Sequence, residues 1–188
     1  LRTKLFLNNN ATFTAHPLPA EVQFSPTFGV AFEDFDLDGL LDIALNQGFN
    51  DYYDGTEPQL NNSNLILINC LDEKKSFDIV ASTGLGKNRS FPRVLASGDY
   101  NGDNQPDLAI PEYNGYLRYF ANQASRNGIK LNLWGNSLDR IGTKARLIYK
   151  DGSMGTTYEY ISKYGYRKET SNYFIFGYNK PVAAIEII

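Results

Sequence analysis

The feature that most restricts how this chain can fold is an acidic turn that occurs twice, each time between two short apolar stretches. The first copy reads Phe28-Gly29-Val30-Ala31-Phe32-Glu33-Asp34-Phe35-Asp36-Leu37-Asp38-Gly39-Leu40-Leu41-Asp42-Ile43-Ala44-Leu45. The second reads Pro92-Arg93-Val94-Leu95-Ala96-Ser97-Gly98-Asp99-Tyr100-Asn101-Gly102-Asp103-Asn104-Gln105-Pro106-Asp107-Leu108-Ala109-Ile110. Both read as strand, turn, strand. Asp34 and Asp99 stand 65 residues apart, a spacing that suits one four-stranded propeller blade with a modest insertion. An apolar strand closing on asparagine also recurs, at Leu5-Phe6-Leu7-Asn8-Asn9, Leu65-Ile66-Leu67-Ile68-Asn69 and Leu117-Arg118-Tyr119-Phe120-Ala121-Asn122. Three strand ends against two turns predict an array cut in mid-blade. Residues 49–64, rich in Asn, Asp, Tyr and Gly, read as a surface loop inserted within one blade.

Carboxylates at alternate positions of a short turn are what a hard cation with six to eight oxygen ligands requires. In the first turn Asp34, Asp36 and Asp38 take positions one, three and five, the Leu40 carbonyl position seven, and Asp42 closes at position nine. Gly39 at position six permits a sharp bend. In the second turn Asp99, Asn101, Asp103, the Gln105 carbonyl and Asp107 take the same places. Asn104 replaces the glycine, and asparagine tolerates left-handed backbone better than most residues. Two calcium ions are therefore expected. An EF-hand would need a bidentate acid at position twelve and flanking helices, whereas Leu45 and Ile110 occupy that position and the flanks are strands. So many carboxylates would repel one another without a cation.

The run from Phe28-Gly29-Val30-Ala31 into Asp34-x-Asp36-x-Asp38-Gly39-x-x-Asp42 resembles the FG-GAP/VCBS repeat of integrin α-subunit propellers and many secreted bacterial proteins. The resemblance implies calcium bound between strands of a blade. The second copy lacks Phe-Gly and carries Asn at two turn positions.

From Leu131 the character changes. Leu131 to Leu147 contains Leu133-Trp134-Gly135-Asn136-Ser137-Leu138-Asp139-Arg140-Ile141-Gly142-Thr143-Lys144-Ala145-Arg146, with Tyr164-Gly165-Tyr166 and Tyr173-Phe174-Ile175-Phe176-Gly177 further on. Alternation over Ala145 to Tyr149, Thr157 to Ile161 and Val182 to Ile188 predicts short antiparallel strands. This order of pieces is similar to the ASPIC/UnbV domain that follows FG-GAP repeats in cartilage acidic protein and its bacterial relatives. Phe176-Gly177-Tyr178-Asn179 departs from that family's Gly-Leu-Gly ending, and its Trp-Pro-x-Gly does not follow.

Charge divides the chain shortly before this, after residue 125. Residues 1–125 hold 8 Lys/Arg and 16 Asp/Glu, and residues 126–188 hold 10 and 5, so two calcium ions would bring the first part from −8 to about −4. The expected architecture is all-β: propeller blades over 1–125, an incomplete propeller, then a small β-sandwich-like domain over 126–188. The 14% aromatic content, 16 Gly and 8 Pro suit packed strands with many turns.

Several chemistries lack their residues. His16 and Cys70 are the sole residues of their kinds, which excludes zinc and iron sites built on several His or Cys and leaves little for a nucleophilic triad. Cys70 ends an apolar run and reads as a buried thiol. Gly84-Leu85-Gly86-Lys87 lacks the spacing of a nucleotide fingerprint, and the acids are spaced as a cation cage rather than a glycosidase pair. The basic residues after 125 are scattered singly, which argues against nucleic acid. No run of 18 apolar residues predicts a membrane span. Asn10, Asn61 and Asn88 begin glycosylation sequons. The chain opens at Leu1 without a signal-peptide pattern, so a mature or fragmentary chain is expected.

Together these features predict a secreted or cell-surface calcium-binding module for protein or glycan binding, adhesion or extracellular assembly, without catalysis of its own. Its partners would be a protein, a glycan or further copies of itself, and extracellular calcium would saturate even weak sites. A non-catalytic accessory subunit or fragment of an extracellular enzyme complex is the alternative that stays open.

Overall fold

A computed structural model of the chain describes residues 3–23, 27–47, 63–69, 77–80, 85, 94–111, 116–161 and 172–188. In chain order the elements are β1 (Leu5–Asn9), β2 (Thr12–His16), α1 (Ala20–Gln23), β3 (Thr27–Glu33), β4 (Asp42–Gln47), β5 (Ser63–Asn69), β6 (Phe77–Ile79), β7 (Ala96–Gly98), β8 (Asp107–Pro111) and β9 (Leu117–Phe120). They continue with β10 (Ile129–Asn132), α2 (Ser137–Arg140), β11 (Lys144–Tyr149), β12 (Tyr158–Glu159), β13 (Tyr173–Phe176) and β14 (Val182–Ile187). The all-β expectation holds, with two one-turn helices among the described residues. The sheets run β3-β4-β5-β6, β7-β8-β9, β12-β11-β14, β10-β13 and β1-β2, and no closed ring of blades occurs among the described residues. Cys70, Tyr164-Gly165-Tyr166, the sequons at Asn61 and Asn88, and most of the 49–64 and 84–87 stretches lie outside them.

The chain divides into two compact units. One gathers residues 1–30, 43–95 and 110–118; the other gathers 31–42, 96–109 and 119–188. Both acidic turns belong to the second unit, together with the C-terminal strands.

In the first unit Leu18, Val22, Ile43 and Leu45 form the core, with Leu5, Phe77 and Ile79 against it. β4 is buried along its length, which explains why Ile43-Ala44-Leu45 at its centre run apolar without alternating. Of its two buried amides, the Gln47 side chain donates to the Val22 carbonyl at 2.9 Å, and Asn46 Oδ1 accepts the Gly29 N–H at 2.6 Å while its Nδ2 has no partner among the described residues. A Cβ on residue 29 would sit 2.8 Å from Asn46 Oδ1, so the Phe-Gly pair at the start of the first copy has a packing reason.

In the second unit β11 alternates, with Ala145, Leu147 and Tyr149 buried, as period-two patterning predicts. These meet Leu133, Tyr160, Phe174 and Phe176 in one core. Tyr158 stands edge-on to Phe176 with ring centroids 4.8 Å apart. Such a pair adds about 0.5–1.5 kcal/mol beyond the area it buries.

The β1–β2 hairpin turns on Asn10 and Ala11, with Asn9 paired to Thr12. Both turn residues have positive φ, 50° and 66°, the two-residue geometry that favours Asn-Gly. Alanine in left-handed backbone is strained, so Ala11→Gly should raise stability by about 0.5–1 kcal/mol in chemical denaturation. A loss of stability would contradict the turn.

Candidate metal centre

The two turns adopt one hydrogen-bonding scheme. Asp34 Oδ1 accepts the Asp38 N–H at 3.0 Å, and Asp99 Oδ1 accepts the Asp103 N–H at 3.0 Å. Asp34 Oδ2 takes the Gly39 N–H at 2.8 Å, as Asp99 Oδ2 takes that of Asn104 at 3.1 Å. The Asp36 and Asn101 side-chain oxygens accept the same N–H groups, from Asp38 at 3.2 Å and Asp103 at 3.1 Å. Asp38 accepts the Leu40 N–H and Asp103 that of Gln105, at 2.8 and 2.9 Å. The closing acids accept the second residue's N–H, Phe35 to Asp42 at 2.8 Å and Tyr100 to Asp107 at 2.9 Å. Five equivalent bonds in each copy, spanning two to seven residues, explain the choice of Asp and Asn, short side chains that readily accept from nearby backbone.

This scheme demands left-handed backbone at positions four and six of each turn. Leu37 and Gly39 supply it in the first, with φ of 59° and 97°; Gly102 and Asn104 supply it in the second, with φ of 83° and 64°. The glycine has exchanged places with a bulkier residue. Leu37 tolerates the conformation because its side chain is completely buried, so packing offsets the strain.

The first turn brings three carboxylates together. Oxygens of Asp34, Asp36 and Asp42 lie within 4.8 Å of one another, and oxygens on opposite sides of a bound calcium are about 5 Å apart. All-oxygen donors at this span fit a hard divalent cation. Asp34 and Asp42 are buried, and no second such cluster of His, Cys, Asp or Glu occurs among the described residues. In the second turn Asn101 stands where Asp36 stands in the first. Asp38 lies outside the convergent three and engages the Leu40 N–H.

Electrostatics reports what this convergence costs. Burial pushes the Asp34 carboxyl up to about 7; the Gly39 N–H opposes the shift, the charges of Asp42 and Asp38 add to it, and the Asp38 N–H opposes it. Asp38 is also raised, by burial first, with the Leu40 N–H opposing, Asp36 adding and Arg126 opposing. The Tyr158 hydroxyl is buried with no hydrogen-bond partner among the described residues, and it is raised well above its ordinary range by burial and then by Asp34, Glu33 and Asp42. A divalent cation would relieve all three.

Residues far along the chain complete the site, and local patterning gave no sign of Gly177 or Thr156. The Gly177 N–H donates to Asp34 Oδ2 at 3.1 Å across 143 residues, and Thr156 Oγ1 donates to the Gly39 carbonyl at 2.7 Å. Asn122 donates its side-chain amide to Phe35 O at 2.8 Å and Pro106 O at 3.1 Å, and its backbone N–H to Asp107 at 2.8 Å. Its place at the end of a recurring strand was the one visible signal. Tyr119 Oη donates to Asp107 Oδ2 at 2.8 Å, and Lys130 Nζ reaches Asp99 Oδ2 at 2.8 Å.

The same unit has a cavity of about 240 Å³ with aromatic walls that include Phe32, Tyr158, Tyr160 and Tyr173. Two of its polar groups serve each other, Ser97 Oγ donating to Glu33 at 2.6 Å.

Residues 91–126 match the FG-GAP repeat family. The match spans the second turn and the strands β7, β8 and β9, and identifies this stretch as a repeat of the integrin-like β-propeller type. The first turn shares five of the second's hydrogen bonds. No curated protein matches the chain.

Two outcomes test this geometry. A Cβ on residue 177 would overlap Asp34 Oδ2 and the Leu37 backbone, so Gly177→Ala should cost about 3 kcal/mol in denaturant unfolding; a cost below about 0.5 kcal/mol, the range of neutral surface changes, would contradict the close approach. Asp34 rises from 3.8 to about 7 on folding, so it binds protons more readily folded than unfolded. Its contribution is full below the unfolded value and is lost as pH climbs through about 7. Asp99 and Asp151, held low, act below that window. With chelator present, the melting temperature should therefore be lower at pH 8 than at pH 5; a flat or rising profile would count against the buried acid.

Proposed function

We propose that the chain is a calcium-stabilised propeller-type module, secreted or displayed at a cell surface, that binds a protein or glycan partner or further copies of itself and performs no catalysis. The observation that carries this reading is the convergence of Asp34, Asp36 and Asp42 around a carboxyl pushed up to about 7. An acidic cluster of that kind is stabilised far better by a cation than by solvent. Calcium would be held by these three carboxylates, with Asp38 and the Leu40 carbonyl as further donors. Its chemistry there would be structural, neutralising the turn and fixing the strands on either side. Sites of this type fill at extracellular calcium levels and stay largely empty at cytosolic ones, which supports export.

The FG-GAP match over 91–126 supports the module class. The outer face of β3 supports association, because Phe28, Val30 and Phe32 alternate toward solvent on it, an apolar stripe that a neighbouring blade or partner would cover. Residues 133–146, with the one-turn α2 leading into β11, are read as the start of an ASPIC/UnbV-type segment. No helix among the described residues is long and apolar enough to cross a membrane.

Calcium titration with thermal melting tests the reading. Calcium should raise the melting temperature of the parent chain, and Asp36→Asn, which removes a charge but keeps the acceptor for the Asp38 N–H, should lose most of that rise. An unchanged melting temperature in the parent would overturn it.

A further inference from the structure

The two turns share a backbone but differ in what presses on the first carboxylate from outside. In the first turn, the outside donor to Asp34 Oδ2 is the neutral Gly177 N–H, at 3.1 Å. In the second, the equivalent oxygen of Asp99 receives the Lys130 ammonium at 2.8 Å. The Asp99 side chain is 0% exposed and that of Lys130 22%, so water does little to weaken the pair. Lys130 is held there from both sides, since its Nζ also lies 4.1 Å from the centroid of the Tyr173 ring, and Tyr173 Oη accepts the Asp99 N–H at 2.6 Å. A charged donor on a covered carboxylate is a strong, specific contact.

Asp99 is also filled. Its oxygens take Gly102 N–H at 2.7 Å, Asp103 N–H at 3.0 Å, Asn104 N–H at 3.1 Å and Lys130, which accounts for the roughly four lone-pair sites of a carboxylate. Asp34 takes three donors. The charges point the same way: four carboxylates in the first turn, three in the second, where Asn101 replaces an acid. The first turn's own cation is Arg126, 3.9 Å from Asp36, with both side chains more than two-fifths exposed, a distance and exposure at which solvent and salt screen most of the effect.

We propose that Lys130 is the built-in counter-ion of the second turn, so that residues 99–107 stand without a metal and the chain takes one calcium, at residues 34–42. This rests on the calcium reading of the first turn but concerns a different turn. An ammonium placed against position one repels an incoming divalent ion and occupies a lone pair that the ion's first ligand needs. The second turn has thus kept the repeat's backbone and exchanged its metal for a lysine.

Calorimetric titration of calcium into the parent chain and into Lys130→Met, with melting temperatures measured in chelator and in calcium, tests it. The parent should bind one ion. Lys130→Met should melt lower than the parent in chelator, recover in calcium and bind a second ion, or bind at the second turn at least about tenfold tighter than the parent does. Adding Asp103→Asn should remove that new site. Lys130→Gln serves as a second variant if the first does not fold. Two ions on the parent, or one ion on both variants with no change in calcium response, would overturn the proposal. No ion on the parent, with one on Lys130→Met that Asp103→Asn removes, would sink the calcium reading of the first turn and leave the role of Lys130 standing. No binding by any of the chains would remove both.

Discussion

Negative charge concentrated in a turn of nine residues is the constraint around which the second compact unit is organised. Carboxylates that close repel, and three of the four in the first turn converge. The backbone answers first: its N–H groups point inward at Asp34, Asp36, Asp38 and Asp42, which requires two left-handed residues in every copy. That geometry in turn decides where glycine can sit, why Leu37 must be buried, and why Gly177 has no room for a side chain. The backbone donors lower the charge penalty without removing it, as the elevated Asp34 carboxyl shows. The remainder would fall to a cation, for which the two turns offer different surroundings.

Much of this was legible because it is local. The acidic positions, the left-handed asparagine at 104 and the period-two strand from Ala145 to Tyr149 follow from spacing and residue type alone. The exchange of glycine between positions four and six was less visible, since the motif marks only Gly39, while Leu37 gives no hint of its left-handed backbone until its burial is seen. Lys130, Thr156 and Gly177 were illegible for a different reason. They lie in a segment whose local pattern predicts ordinary strands, and they reach the turns by tertiary contacts as long as 143 residues.

Charge sign changes along the sequence near residue 125, yet the compact unit that holds both turns draws from both sides of that point. Basic and acidic residues distant in sequence thus become neighbours within one unit, as in Lys130 with Asp99 and Arg126 with Asp36. Composition reveals that such an attraction is available; only the fold reveals which carboxylates receive it. The FG-GAP match likewise falls on the copy that lacks Phe-Gly.

Asn122 gives the unit a mechanical property. One side chain holds the carbonyls of Phe35 and Pro106 together, while its own N–H holds Asp107. The turns are therefore coupled in parallel at the end of β9, and a pull on that strand loads both at once instead of peeling them in sequence. Resistance to shear at this strand would then be set by whichever turn is better neutralised, with the weaker one shielded by its neighbour.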